Sequence, residues 1–154
     1  MPAVIVDAAG PDRLPEVSEV HEKSLQEVEH YYWTAEPGPN DLVLVAQRGG
    51  PAIVGYLVAT IEGATAQIWE QAVLPEHRGF SVGRALLAEL ALRASRAGCK
   101  EIVIDPSEQL DDDRLRDYYR QWGFAESGAP DARRPHNRIH TTPRALAAAT
   151  ASGD

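Results

Sequence analysis

The chain has 154 residues, of which 44% are hydrophobic and 25% charged, enough for one domain with a real core and ordinary for a globular protein. No apolar run approaches the ~20 residues of a membrane helix. The N-terminal residues lack the basic and long apolar regions of a secretory signal, and Cys99 as the sole cysteine excludes an internal disulfide and a cysteine-rich metal site, so a cytoplasmic protein without a membrane partner is expected. The net charge of −8 speaks against nucleic acid as partner, because such binders present a basic face to phosphate.

Residues 3–7 read as a strand, and Gly10-Pro11-Asp12 opens a helical region with Asp12 as a cap. Leu14, Val17, Val20, Leu25 and Val28 supply its apolar positions as far as about Tyr32, with imperfect periodicity that allows two helices. Its acidic residues, Glu16 to Glu36, form a solvated face or a field that attracts a cationic amine. After the Pro37-Gly38-Pro39-Asn40 loop, Leu42–Ala46, Ile53–Ile61 and Ala64–Val73 read as three strands joined by short turns, an antiparallel meander. From residue 81 the period becomes helical, with Leu86, Leu87, Leu90, Ala94 and Ala97 on one face and Gly98 at the end. Glu101–Asp105 is apolar on both faces, as in a central strand. A second helix spans about Asp111–Trp122, its acidic start matching the helix dipole. Leu115, Tyr118, Tyr119 and Trp122 fall at i, i+3, i+4 and i+7. Phe124 opens a further strand, Asn137–Thr142 reads as a last edge strand, and residues 145–154 read as a frayed tail behind a single domain over 1–144.

The segment Val73–Ala88 carries the most chemistry. A strand runs through Pro75 into Arg78-Gly79-Phe80-Ser81-Val82-Gly83 and then into a helix. This order presents backbone N–H groups at a helix N-terminus, an anion site suited to phosphate or pyrophosphate. It is neither the G-x-G-x-x-G dinucleotide fingerprint nor a Walker loop. No His, Cys or Asp cluster has metal-ligand spacing, so no metal is expected.

The loop, with its Val73-x-Pro75-Glu76 lead-in and Gly83-Arg84-Ala85-Leu86-Leu87 exit, resembles the acetyl-CoA motif Gln/Arg-x-x-Gly-x-Gly/Ala of the GNAT N-acetyltransferases. Tyr118-Tyr119-Arg120-Gln121-Trp122-Gly123-Phe124 is similar to that family's Phe-Tyr-x-x-x-Gly-Phe, and the element order matches over nearly the whole chain. The resemblance implies an α/β fold: a mixed, mostly antiparallel sheet flanked by helices and splayed between strands four and five. Ser81 departs from the pattern, standing where the family usually has its first glycine. Its Cβ limits close approach of a pyrophosphate or an unusual backbone angle, while its hydroxyl offers a hydrogen bond.

Carried over residue by residue, the resemblance implies acetyl-CoA as cofactor. Its pyrophosphate would lie on the backbone of Arg78, Gly79, Phe80, Ser81, Val82, Gly83 and Arg84, and its pantetheine arm along Ala72 and Val73, where a backbone N–H would polarise the thioester carbonyl. Tyr119 aligns with the tyrosine that donates to the departing thiolate, a role open to a phenol of pKa about 10; Tyr118 is the competing residue, read as packing. An alkylammonium must lose a proton before it attacks, and Glu70 is the natural base, ahead of Asp105, Glu108, His21 and His30. The two histidines read as helix-surface residues. Tyr31, Tyr32 and Trp33 would border the acceptor site, with Trp69 in the same cleft.

The expected activity is acetyl transfer to the primary amine of a small, cationic substrate by direct attack in a ternary complex. Acetylation of a protein N-terminus or lysine keeps the same fold, and a non-catalytic sensor that binds coenzyme A is the alternative of another class. A homodimer is compatible with each.

Overall fold

The computed structural model describes residues 3–24, 38–104, 112–126 and 138–151. Seven strands form one sheet: β1 (Val4–Ala8), β2 (Asp41–Arg48), β3 (Ile53–Glu62), β4 (Thr65–Val73), β5 (Glu101–Ile104), β6 (Ala125–Glu126) and β7 (Ile139–Thr141). Their order is β1-β2-β3-β4-β5-β7-β6. Among the described residues only β4 and β5 pair in parallel, because α2 (Val82–Arg96) carries the chain back across the sheet between them. The other described helices are α1 (Leu14–Ser24), α3 (Asp112–Arg120) and α4 (Pro143–Ala151).

The sheet is buried on both faces, and the alternation of its side chains divides the core in two. Leu44, Ala46, Leu57 and Ala59 pack with Leu86, Leu87 and Leu90 of α2 and Leu146 of α4. Val43, Val45, Tyr56 and Val58 pack with Leu14, Val17 and Val20 of α1 on the opposite face. The apolar stripe expected for α2 is therefore its buried face, except that Ala97 lies beyond the last turn and is exposed. Gly98 ends the helix in the left-handed conformation, φ +82°.

Two expectations are corrected. The segment from about 145 is not a tail: Pro143–Ala151 is a helix with Pro143, Leu146 and Thr150 buried, packed against α2. Its run of alanines looks featureless, but alanine is the best helix former, and Leu146, with Pro143, anchors the apolar side. The 137–142 segment is not an edge strand either. As β7 it lies between β5 and β6, and its apolar Ile139 is fully buried in the α2-side core. Residues 25–37, with Tyr31, Tyr32, Trp33 and His30 among them, lie outside the described residues, as do Asp105 and Glu108.

The feature that positions the chemistry is a register shift in β4. Val58 pairs with Glu70, but Ala59 pairs with Ile68, so Trp69 is an extra residue in a β-bulge. A bulge reverses the facing of everything after it. Ala66 and Ile68 face α2, whereas Ala72, beyond the bulge, belongs to the α1-side core. The described pairing of β5 with β4 covers Thr65 to Ile68.

Candidate active site

A cleft of about 430 Å³ opens between the end of β4, the N-terminus of α2 and α3. It is lined by Val73, His77, Arg78, Gly79, Ser81, Val82, Gly83, Arg84, Tyr118 and Trp122. Seven of these are residues that the loop pattern singles out. Phe80 is not on the wall: its ring lies under the Arg48 guanidinium, 3.8 Å from its centroid, and Arg48 also meets His77 Nδ1 at 3.4 Å. Ala72 is buried in the opposite core, so only its backbone can contribute to the cleft side.

The loop is built by backbone geometry. Pro75 starts a single 3-10 turn in which the His77 N–H donates to the Leu74 carbonyl at 2.9 Å. Arg78 Nε then donates to the Val73 carbonyl at 3.1 Å, tying the loop to the end of β4. Gly79 and Ser81 both take left-handed backbone angles, φ +82° and +67°, which bend the chain into α2. Ser81 is the one described non-glycine residue with positive φ, so the position where the family favours glycine demands the conformation that glycine accepts without strain. The Ser81 hydroxyl does not cap the helix, and the first turn of α2 holds no acidic side chain. The N–H groups that no helix satisfies internally and the positive end of the dipole are thus turned to the cleft. This fits the pyrophosphate of coenzyme A.

Gln71 links the cleft to the tyrosine pair. The bulge turns it toward α2 and α3, where its Nε2 donates to the Gly83 carbonyl at 3.1 Å and to the Tyr118 hydroxyl at 3.3 Å. Its Oε1 accepts from the Tyr119 hydroxyl at 2.9 Å. Tyr118 and Tyr119 meet edge to face, centroids 5.0 Å apart, and Tyr119 meets Phe124 at 5.3 Å in the same manner. The expected roles are partly exchanged in exposure: Tyr118, read as packing, lines the cleft, while Tyr119 is 2% exposed and stands behind it. Burial, then the neighbouring Tyr118 and Glu70, raises the Tyr119 phenol well above its ordinary pKa, which keeps it protonated. Gly83 is glycine because Tyr118 requires it: a Cβ there would collide with the Tyr118 hydroxyl.

Glu70 points to the other face. It is 5% exposed, and its Oε1 lies 2.7 Å from His21 Nδ1. The same ring nitrogen lies 2.9 Å from the Tyr56 hydroxyl. His21 is therefore not a surface residue; it is 2% exposed. Its spacing carries the signal, since it falls seven residues after Leu14 and four after Val17, on the stripe α1 buries. Trp69 is half-buried beside the α1-side core, its Nε1 donating to Thr60 Oγ1 at 3.0 Å. Gln71 has no such local signal, because only the bulge decides which way it faces. Tyr118 and Trp122 are readable as an i, i+4 pair, but not as cleft residues.

The comparisons agree with this geometry. A family model described as "Acetyltransferase (GNAT) family" matches residues 9–124. No curated protein sequence matches the chain. Among solved structures, the PaiA N-acetyltransferase of Thermoplasma acidophilum in complex with coenzyme A superposes with a TM-score of 0.70 at 13% identity, over 91% of this chain and 99% of that one. The ribosomal-protein-S18-alanine N-acetyltransferase of Escherichia coli gives 0.68 at 15% identity, over 90% and 91%. The spermidine/spermine N-acetyltransferase SpeG of Vibrio cholerae gives 0.68 at 14% identity, over 93% and 95%. At these identities the likeness is one of fold, and the family model supplies the rest: the chain belongs to the GNAT family and is an N-acetyltransferase whose acetyl donor is acetyl-CoA.

Proposed function

We propose that this enzyme acetylates the primary amine of a small, cationic molecule, with donor and amine held together in one ternary complex. The observation that carries the reading is the pair of proton-handling groups on either side of β4 beyond its bulge, Tyr119 behind the cleft wall on Gln71 and Glu70 toward α1. When bound, acetyl-CoA supplies an acetyl thioester open to attack by a neutral amine. The loop from Arg78 to Arg84 would hold its pyrophosphate, and the backbone of Ala72 and Val73 would accompany the pantetheine arm. A backbone N–H at that strand end would polarise the carbonyl.

Glu70 takes the proton of the incoming ammonium, which converts the amine to its nucleophilic form. Tyr119, protonated and held by Gln71 behind the cleft wall, would turn its single O–H from the Gln71 oxygen to the departing thiolate, and the second proton shed by the attacking nitrogen as the amide forms would restore the phenol. Each such transfer is worth about 10²–10⁴-fold, and holding the two reactants side by side adds the proximity contribution. The preference for a cationic acceptor rests on the net charge of −8 and on a buried carboxylate at the proposed acceptor side.

The deciding experiment measures coenzyme A release from acetyl-CoA with spermidine, other polyamines, amino acids and a peptide with N-terminal alanine. Polyamine turnover is expected to exceed peptide turnover. Exclusive use of the peptide would move the reading to protein N-terminal acetylation, and acetyl-CoA binding with no turnover on any amine would leave a coenzyme A sensor. In Tyr119→Phe, kcat is expected to fall about 100-fold with the KM for acetyl-CoA little changed. Tyr118→Phe should instead raise that KM.

A further inference from the structure

We infer that His21 is a positioning residue for this reaction: its Nδ1–H holds the Glu70 carboxylate ionised and aimed, so that α1 is part of the proton-accepting machinery. The inference rests on the reading of Glu70 as the base. Three elements converge on one nitrogen. Glu70 Oε1 from β4 lies at 2.7 Å, the Tyr56 hydroxyl from β3 at 2.9 Å, and the ring itself comes from α1.

The physical need is plain. A carboxyl group as buried as Glu70 tends to take up a proton and become neutral unless a donor faces it. A protonated Glu70 could not accept one from an ammonium. The 2.7 Å contact is in the range of a charge-assisted hydrogen bond, and a carboxylate can only accept, so the proton sits on Nδ1. The Tyr56 oxygen on the same nitrogen limits rotation of the ring. Burial of both partners excludes the screening that weakens surface pairs. The titratable groups that the described structure brings to Glu70 are His21 from α1, Tyr56 from β3 by way of His21, and Tyr119 from α3.

The test uses the full chain labelled with glutamate carrying carbon-13 in its carboxyl group, with Glu70→Gln identifying the Glu70 resonance. At neutral pH the carboxyl is expected to be ionised in the natural protein. It should stay ionised in His21→Asn, whose amide nitrogen can stand near the Nδ1 position, and become protonated in His21→Leu. His21→Gln, whose amide extends past that position, is a second loss variant should the leucine fail to fold. An ionised Glu70 in the folded loss variants, or a protonated one in the natural protein, would overturn the inference. With spermidine as acceptor, the loss variants should lose about 100-fold in kcat with an unchanged KM for acetyl-CoA, and His21→Asn should recover most of it. Full turnover in Glu70→Gln would refute the base reading itself, whatever the resonance shows.

Discussion

At the scale of single residues, two positions repay measurement. Ser81 holds φ +67°, a conformation costing an L-residue about 1–2 kcal/mol, while glycine adopts it freely at some cost in unfolded-state entropy. Ser81→Gly is expected to raise stability by about 0.5–1 kcal/mol in urea denaturation and to leave acetyl-CoA affinity equal or better in calorimetry. Tyr119 keeps its proton in the folded protein far more tightly than in the unfolded chain. Above a pH of about 10 the unfolded tyrosine ionises and the folded one does not, so the unfolded state binds fewer protons and stability falls as pH rises. Thermal melts between pH 8 and 11 should show that fall, and Tyr119→Phe should flatten it. The roles of these residues were unequally legible. Ser81 stands out against the family pattern, and His21 is visible by its place on the α1 stripe, but nothing near Gln71 in the chain reveals that it joins Gly83, Tyr118 and Tyr119.

At the scale of elements, periodicity located almost every strand and helix within a few residues, because both core faces draw on regular apolar spacing. It failed where packing overrides composition. The alanine-rich C-terminal segment has little periodic signal, yet α4 is held by the fully buried Leu146 against α2. Leu146→Ala should therefore cost about 2–5 kcal/mol, read as a lowered denaturation midpoint with the cofactor loop left intact. A surface tail would show no change. The bulge at Trp69 escaped for a different reason. The sequence Ala66-Gln67-Ile68-Trp69-Glu70-Gln71-Ala72 reads as regular alternation, and burial does alternate along β4, but the buried residues change faces midway.

At the scale of the whole molecule, charge and chain path set what can approach. A net charge of −8 attracts polyamines over distances that salt screens within about 10 Å at 0.1 M. Raising ionic strength from low to physiological should lower kcat/KM for spermidine several-fold, with little effect on a monoamine of single charge. Equal salt dependence for both would show that no field steers the acceptor.

The sequence by itself located most of the elements, by their apolar periods, and the anion-binding loop, by the glycines and proline around residues 73–83, while its resemblance to the GNAT motifs implied the family and the acetyl donor. The tertiary structure alone decided which groups meet. A one-residue insertion at Trp69 turns Glu70 to α1 and Gln71 to the cleft, because side chains in a strand alternate with period two and any extra residue reverses them. His21, distant in the chain, then reaches Glu70. Local spacing cannot carry that information, for it is a property of two strands in register.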